Sequence, residues 1–262
     1  MGTNGRLQGK VAIVTGAGSG IGRGAAIVLA QEGAELVVVN DKNIDAGKET
    51  ERLIKEEGGE ATFVRADVRS EVEVSNILAC AEEIYGGLDI MFANAGVTDY
   101  RDLVDMSRDD IARIIDINLM GSLLCAKYAI PAMKKRGGGS IVFCSSVLNR
   151  IGFPQAVVYG ATKAGQVGAV YALASEVGKD NIRVNCISPG TTNTPMVDRD
   201  PGALKDPVAY KKMMAKQNPL GRIAEPEDIG KAVAWISSDE ASFITGQDLY
   251  IDGGFTSYKR LC

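Results

Sequence analysis

The regular alternation of short β-branched runs with longer helical stretches constrains the fold of this chain more than any other feature of its sequence. The runs predicted as strands are residues 11–15, 36–40, 61–65, 88–92, 140–144, 182–187 and 247–251. The stretches predicted as helices are residues 20–33, a charged segment that ends near 57, 71–85, about 108–136, 155–178 and about 226–238. Pro131 is expected to kink or break the fourth of these helices.

Strands that are joined through helices of this length pair in parallel, with right-handed crossovers. The pattern therefore predicts an α/β fold, a Rossmann-like doubly wound parallel sheet of about seven strands with helices on both faces. No linker or change of composition divides the chain, so we expect a single domain over residues 1–262.

The stretch of about 190–220 interrupts this alternation with several prolines. It follows the carboxyl end of a predicted strand, which is where ligands bind in doubly wound sheets. Residues 208–216 within it look weakly helical. Long loops in compact domains are commonly functional. The sequence leaves open whether this stretch is a substrate-lid loop or a connection of variable sequence.

A glycine-rich turn lies between the first predicted strand and the first predicted helix. Residues 15–22 read TGAGSGIG, the pattern T-G-x-x-x-G-x-G, and Ile21 stands at the third glycine position of the more usual G-x-G-x-x-G spacing. Glycines here let the backbone turn tightly and approach a pyrophosphate, and the helix N-terminus adds N–H groups and partial positive charge. The turn alone is weak evidence, but its place at a strand end and a helix start favours dinucleotide binding.

An acidic residue follows the second predicted strand directly. Asp41 stands where a carboxylate accepts hydrogen bonds from the adenosine ribose hydroxyls. Its charge would repel the additional 2′-phosphate of NADP, and Ser19 leaves the glycine turn without a cation to bind that phosphate. Lys42 is adjacent and partly compensates. The residues favour NAD over NADP.

The chain contains no histidine. This absence excludes Ser-His-Asp and Cys-His nucleophilic catalysis and leaves no imidazole to bind zinc, and we predict no metal site. Proton transfer near neutral pH must then use Asp, Glu, Lys, Cys or Tyr with a shifted pKa.

Charge and targeting signals narrow the class further. A formal net charge of −4, with Lys and Arg scattered along the chain, argues against nucleic acid and anionic membranes as partners. The polar N-terminus lacks the apolar core of a signal peptide, and no apolar run approaches membrane-spanning length. The five cysteines lie far apart without a C-x-x-C pair. We therefore expect a cytoplasmic protein in a reducing environment.

One tyrosine has the spacing of an acid–base group. Of the eight tyrosines only Tyr159 has a lysine four residues later, and Tyr159 and Lys163 would share one face of the predicted helix. A phenol with a pKa of about 10 is a poor base at neutral pH, and an adjacent ammonium favours the phenolate. We therefore expect Lys163 to move the pKa of Tyr159 towards the range of efficient acid–base catalysis.

These motifs, taken in order, closely resemble those of the short-chain dehydrogenase/reductase family, and the resemblance runs from about residue 7 to residue 255. The residues that carry it are 15–22, Asp67 and Val68, Asn94 to Gly96, Asn118, Ser146, Tyr159 to Lys163, and Pro189, Gly190 and Thr194. Any one of these motifs occurs by chance, whereas the ordered set is specific. Ala93 departs from the pattern, since many family members have Asn there.

The resemblance implies a reaction and four catalytic residues. Tyr159 would be the general acid and base in hydride transfer between NAD(H) and a secondary alcohol or ketone. Ser146 would stabilise the substrate oxygen, with Ser145 as the neighbouring alternative, and Asn118 would hold a water that links Lys163 to solvent.

The resemblance also implies a set of residues around the cofactor. Asp67 would contact adenine through its carboxylate and Val68 through its N–H group, and Lys163 would bind the nicotinamide ribose. The expected cofactor-binding residues are Gly16, Ser19, Gly20, Ile21, Gly22, Asp41, Asp67, Val68, Asn94, Ala95, Gly96, Tyr159, Lys163, Pro189, Gly190, Thr192 and Thr194.

The substrate is the least constrained part of this prediction. The expected pocket segments, 97–103, 147–153 and the 190s, carry mainly apolar side chains together with Arg101 and Arg150. A cyclic or otherwise hydrophobic alcohol is favoured slightly. A 3-oxoacyl thioester reductase is the alternative, and a non-catalytic dinucleotide-binding module is an alternative of another class. The resemblance also implies a homo-oligomer, expected to be a homotetramer, with a small molecule as substrate.

Overall fold

The sheet predicted from the sequence is present in the computed structural model, which describes residues 5–200 and 202–257. Within these residues the strands are β1 (Val11–Thr15), β2 (Leu36–Asp41), β3 (Ala61–Arg65), β4 (Ile90–Ala93), β5 (Gly139–Cys144), β6 (Ile182–Pro189) and β7 (Asp248–Ile251). All pair in parallel in the order β3-β2-β1-β4-β5-β6-β7. From β1 the chain adds strands towards one edge of the sheet, as far as β3, and then returns to add β4 to β7 on the other side of β1. Ligand-binding crevices form at such a switch point.

Helices cover both faces of this sheet. They are α1 (Gly20–Gln31), α2 (Ile44–Glu56), α3 (Glu71–Tyr85), α4 (Arg108–Ile115), α5 (Gly121–Lys135), α6 (Val157–Val177), α7 (Pro195–Asp198), α8 (Pro207–Gln217) and α9 (Pro226–Ser237). Short 3₁₀ turns lie at Leu103–Asp105, Val147–Asn149, Gly178–Asp180 and Asp239–Ala241.

The alternation of side chains along each strand produces two cores. Val11 and Ile13 of β1 pack into the layer that contains α3, α5 and α6. Ala12 and Val14 point the other way, into the layer that contains α1 and α9. Every residue of β1 is buried, and the first four of its five residues are apolar. This is expected for a strand in a parallel sheet that is covered on both sides.

The prediction of a break at Pro131 is wrong. Pro131 lies inside α5, between Ala129 and Ala132, which are fully buried, and packing keeps the helix continuous through the proline. The interruption is instead a π-helical turn at Asp116–Met120, in which the Gly121 N–H donates to the Asp116 carbonyl. Such turns occur preferentially at functional sites.

The stretch Arg108–Lys135 is long and apolar enough to cross a membrane by length and composition alone. Core helices of soluble proteins pass the same test. In this fold α5 packs against α3, β4 and β5, so length and composition are weak evidence that this stretch spans a membrane.

Candidate active site

A cavity of about 430 Å³ opens at the carboxyl ends of the central strands. Most of the residues that the sequence predicted for the site line it: Gly16, Ser19, Gly20, Ile21, Gly22, Asp41, Asn94, Ala95, Gly96, Ser146, Tyr159, Lys163, Pro189, Gly190, Thr192 and Thr194. The predicted residues that do not line it are Asp67, Val68 and Asn118.

The glycine turn is shaped by close contacts that only glycine allows. Gly16 has a φ of 63° and Gly20 a φ of 52°, both in the left-handed region. A Cβ on Gly22 would lie 2.2 Å from the Gly16 carbonyl oxygen, so a larger residue would open the turn. Ser19 precedes α1 without a side-chain hydrogen bond to the first turn, whose residues Gly20, Ile21 and Gly22 line the cavity. The turn thus fits a ligand phosphate.

Asn94 joins this turn to the end of β4. Its Nδ2 donates to the Thr15 carbonyl at 2.8 Å and to the Gly16 carbonyl at 3.3 Å. The Thr15 hydroxyl accepts from the N–H groups of Asn94 and Ala95, both at 3.1 Å. These bonds fix the turn relative to the centre of the sheet.

Asp41 lies at the same mouth of the cavity. Its Oδ2 accepts from the Gly18 N–H at 3.0 Å, and its Oδ1 accepts from the Asn43 N–H at 2.8 Å. The carboxylate therefore braces the glycine turn as well as facing the cavity. An ionised group at this place fits a ribose diol and opposes a phosphate.

Arg23 and Thr50 support the turn from behind, and sequence reasoning did not identify either. The Arg23 guanidinium donates to the Gly18 carbonyl at 2.5 Å and to the Thr50 hydroxyl at 3.0 Å. The Thr50 hydroxyl donates to the Ala17 carbonyl at 2.9 Å. The available signal for Arg23 was a cation directly after the last glycine of the turn.

Asp67 and Val68 lie outside the cavity lining. The Asp67 carboxylate is paired with Arg69 at 2.6 Å, and the hydrogen bond from Arg69 lowers the pKa of that carboxyl. Val68 is buried, and its side chain lies against Gly121. The adenine contacts implied for these residues remain predictions.

Tyr159 and Lys163 project from one face of α6, as their spacing predicted, and both line the cavity. The Lys163 ammonium lies 5.4 Å from the centre of the Tyr159 ring and donates to the Cys144 carbonyl at 2.5 Å. Ser146 precedes the 3₁₀ turn after β5, where its hydroxyl accepts from the Leu148 N–H at 3.2 Å, and it lines the cavity together with Tyr159. The three side chains therefore meet at one end of β5.

The expected effect of Lys163 on Tyr159 is not what the structure shows. Burial raises the pKa of Tyr159, the neighbouring Cys144 thiol adds to the rise, and the nearby Ser146 hydroxyl opposes it. Burial also lowers the pKa of Lys163, which is only 3% exposed. Desolvation thus outweighs the favourable charge interaction that the sequence suggested.

Asn118 is fully buried in the π-helical turn, beside the site rather than in it. Its Oδ1 accepts from the Val97 N–H at 2.8 Å, and its Nδ2 donates to the Val97 carbonyl at 2.9 Å. Its backbone carbonyl accepts from Gln166 Nε2 at 2.9 Å. A Cβ on Gly96 would lie 3.4 Å from the Asn118 Oδ1 and 3.6 Å from the Lys163 Nζ, so the two side chains approach each other behind Gly96.

Ser145 and Ser146 have different roles. The Ser145 hydroxyl is buried and donates to the Lys163 carbonyl at 2.9 Å, which holds α6 in place. Asn149 extends this support, because its Nδ2 donates to the Ser145 hydroxyl at 3.0 Å and to Asp248 at 2.8 Å. Sequence reasoning missed this network. Ser146 is the serine beside Tyr159.

The other half of the cavity is walled by aromatic and apolar side chains. Its lining includes Tyr100, Leu148, Phe153, Met196, Val197, Asp200, Tyr210, Met213, Met214 and Phe255. Tyr100 and Phe153 pack edge to face, with ring centres 5.9 Å apart. The segment of about 190–220 supplies part of this wall through α7 and α8.

Two arginines that the sequence placed near the substrate are engaged elsewhere. Arg101 pairs with Asp99 at 2.6 Å and with Asp110 at 2.8 Å. Arg150 lies over the Tyr250 ring, 5.9 Å from its centre. Neither lines the cavity.

The fold and the site define a class of protein. The family whose sequence model matches residues 16–256 of this chain is described as enoyl-(acyl carrier protein) reductase. The chain belongs to the short-chain dehydrogenase/reductase family and is an oxidoreductase. This family uses nicotinamide dinucleotide cofactors.

Particular relatives carry more specific names. The chain is 39% identical over 253 residues to a 2,5-dichloro-2,5-cyclohexadiene-1,4-diol dehydrogenase of Sphingobium indicum, covering 96% of this chain and 98% of the relative. It is 37% identical over 251 residues to a cis-4-hydroxycyclohexanecarboxylate dehydrogenase of Sinomonas cyclohexanicum, covering 95% and 97%. The crystal structure of a short-chain type dehydrogenase/reductase from Mycobacterium marinum is similar to it, with a TM-score of 0.88, 35% identity and coverage of 96% and 97%.

Proposed function

We propose that this protein transfers a hydride between NAD(H) and a secondary alcohol or ketone on a ring, with Tyr159 as the general acid and base. One observation carries the proposal. Tyr159 and Ser146 lie together in a cavity that has a glycine turn with Asp41 on one side and an aromatic and apolar wall on the other. The two relatives named for ring alcohols are consistent with that wall.

The cofactor side of the cavity fits a dinucleotide. The uncapped first turn of α1 and the tight approach at Gly22 suit a pyrophosphate, and the Asp41 carboxylate suits the ribose hydroxyls. Ser19 and Asp41 together favour NAD over NADP, since neither supplies a positive charge for a 2′-phosphate. Thr192 and Thr194 line the cavity, Thr194 next to Gly20, and would hold the carboxamide.

When bound, a nicotinamide ring supplies the hydride acceptor or donor. The residues of the chain then orient the substrate and manage one proton. In oxidation Tyr159 takes the hydroxyl proton of the alcohol, and in reduction it gives a proton to the carbonyl oxygen. Ser146 donates to the same oxygen and stabilises its developing charge. Because burial raises the pKa of Tyr159, the phenol is the resting form. Oxidation consumes the phenolate and reduction forms it, and in both directions the Lys163 ammonium stabilises that phenolate.

A proton path through Asn118 and Lys163 is part of the proposal. The Asn118 Oδ1 and the Lys163 Nζ both lie close to Gly96, and a water held there would link Lys163 to solvent. Asn118 thereby acts as a positioning residue for the segment that begins at Val97.

We also propose that the protein is a cytoplasmic homotetramer. Large apolar side chains are exposed along α4, the π-helical turn and α6, namely Ile115, Met120, Val157 and Tyr171. Covering them in an oligomer would remove this apolar surface from water. Light scattering on the purified protein measures the mass directly.

The experiment that tests the function is the formation of NADH, followed by absorbance, on a panel of cyclic and aliphatic secondary alcohols, with NAD and NADP in parallel. Turnover with NAD on ring alcohols is the expected result. Activity restricted to NADP and 3-oxoacyl thioesters in the reductive direction would support the alternative reductase.

Tyr159→Phe separates an enzyme from a binding module. The enzyme should lose about 10²–10⁴-fold in kcat, the usual contribution of a positioned acid–base group. Binding of NADH, followed by fluorescence, should be kept. A variant that keeps full turnover would contradict the role of Tyr159.

A further inference from the structure

A buried carboxylate lies in the wall of the cavity that the substrate would contact. Asp200 is 6% exposed and lines the cavity between α7 and α8. Its Oδ1 accepts from the Gly202 N–H at 2.8 Å, and Tyr210 lines the same cavity. Within residues 5–200 and 202–257, no lysine or arginine nitrogen lies within 4.0 Å of this carboxylate.

The neighbouring cation is committed elsewhere. Lys211 directly follows Tyr210, and it pairs with Asp198 at 2.7 Å and with Asn193 at 2.9 Å. Asp198 is about half exposed and does not line the cavity. Two carboxylates two residues apart thus have opposite surroundings, one paired at the surface and one buried without an ion pair.

Asp200 shares its cavity with the reacting groups. Tyr159, Tyr100 and Asp200 all line this cavity of about 430 Å³. Burial raises the pKa of Tyr100, and the charge of Asp200 raises it further. A substrate ring held at Tyr159 would therefore present its far edge to the wall that contains Asp200.

The chemistry of a carboxylate decides what that far edge can carry. An ionised carboxylate only accepts hydrogen bonds and has about four acceptor positions, of which the Gly202 N–H uses one here. A ligand hydroxyl would fill one of the remaining positions and offset the cost of burying the charge. A ligand carboxylate would instead place a like charge against it in a medium of low polarity.

We propose that Asp200 is a specificity-determining residue that selects ring alcohols with a second hydroxyl group across the ring and excludes ring alcohols that carry a carboxylate. This inference rests on the proposed function, since it assumes that the alcohol to be oxidised lies at Tyr159. It assigns this chain to substrates of the diol type rather than the hydroxy-acid type.

Binding tests the inference independently of turnover. Calorimetry with saturating NADH, which prevents oxidation of the alcohol, compares cis-cyclohexane-1,4-diol with cis-4-hydroxycyclohexanecarboxylate and its neutral amide. The wild type should bind the diol about tenfold more tightly than the carboxylate, or ~1.4 kcal/mol, and should bind the amide more tightly than the carboxylate as well. The ligand series alone tests the charge effect, so it does not depend on the folding of any variant.

Asp200→Asn removes the charge and keeps the size and an acceptor oxygen, and Asp198→Asn is its matched control. Asp200→Asn should lose the preference for diol over carboxylate by about tenfold, while Asp198→Asn should keep it. Equal binding of diol and carboxylate by the wild type, binding of neither, or an unchanged preference in Asp200→Asn would each overturn the inference. A diol that binds with the expected preference but is not oxidised with NAD or NADP would refute the proposed function and leave the role of Asp200 standing.

Discussion

The two halves of the cavity are built in different ways. In the cofactor half, backbone groups are held by other backbone groups and by side chains such as the buried Thr15 and the half-buried Asn94. In the substrate half, part of the wall consists of long side chains on α7 and α8, and neither helix has a buried residue. Val208 of α8 is 77% exposed, whereas the five residues of β1 are all buried.

This difference shows where the molecule can change without losing its fold. The glycine turn is tied to β1, β2 and β4, so a change there disturbs the packing of the sheet as well as the ligand. The segment of α7 and α8 rests on few core contacts, so its side chains can be exchanged at little cost in stability. The cofactor half therefore fixes the type of chemistry, and the substrate half is free to set the substrate.

The largest expected effect is at Tyr159, where the two halves meet. Because burial raises the pKa of this phenol and oxidation needs the phenolate, kcat/KM for alcohol oxidation should rise about tenfold per pH unit through the neutral and mildly alkaline range. Ketone reduction uses the phenol and should stay level over that range. Initial rates in both directions from pH 6 to 10 measure this. A flat oxidation profile with a fully active enzyme would contradict the role of the phenolate.

A methyl group in the glycine turn should damage the cofactor half as a whole. Gly22→Ala would place a Cβ 2.2 Å from the Gly16 carbonyl and 2.5 Å from Asn94 Nδ2, so the turn must open. We expect a loss of about 1–3 kcal/mol in the free energy of unfolding, with NADH binding weakened as well. The control is Gly178→Ala, where φ is −57° and no atom lies within 4 Å of the new Cβ. Equal losses in both variants would show that the turn is not specially constrained.

Asp41→Asn changes the charge of the cofactor half while keeping an acceptor for the Gly18 N–H. The ratio of kcat/KM with NADP to that with NAD should rise about tenfold, or ~1.4 kcal/mol, because the repulsion of a 2′-phosphate is removed. Asp41→Ala, which also removes the brace on the turn, should in addition lower stability. If the ratio stayed unchanged in both variants, Asp41 would not select the cofactor.

The smallest effect on stability is expected in the substrate half. Met213 is 48% exposed and lines the cavity, so Met213→Ala should change the free energy of unfolding by no more than about 0.5 kcal/mol. KM for a ring alcohol should nevertheless rise, because an apolar contact with the substrate is lost. Val208→Ala, on the same helix but outside the cavity, is the control and should leave KM unchanged. A large loss of stability in Met213→Ala would contradict the contrast between the two halves.

The same contrast explains what the sequence could predict. The strands, the glycine turn, Asp41 and the pair Tyr159 and Lys163 were predictable because each depends on local spacing or on a backbone shape that few residue types allow. The spacing of residues along the chain does not indicate, however, how deeply a side chain is buried in the fold. The sign of the pKa shift of Tyr159 was therefore missed, since it depends on desolvation by the whole fold.

Partners that are distant along the chain were missed for a related reason. The π-helical turn depends on the bonds of Asn118 with Val97, and nothing in residues 108–136 alone indicates it. Asp200 stands among prolines in a stretch without periodicity, and only the folded chain places it in the cavity wall with Tyr100 and Tyr210.

The hydrogen bond between Asn94 and Thr15 joins residues 79 positions apart in the chain, and the hydrogen bond between Asn149 and Asp248 joins residues 99 positions apart. A nascent or partly folded chain that lacks its final strand therefore has neither the finished support for Ser145 nor the β6–β7 edge of the sheet. Contacts of such long range form late and slowly in folding. Recovery of catalysis after refolding should consequently lag behind recovery of helix content, and enzymatic turnover would serve as a reporter of the last step in assembling the native chain.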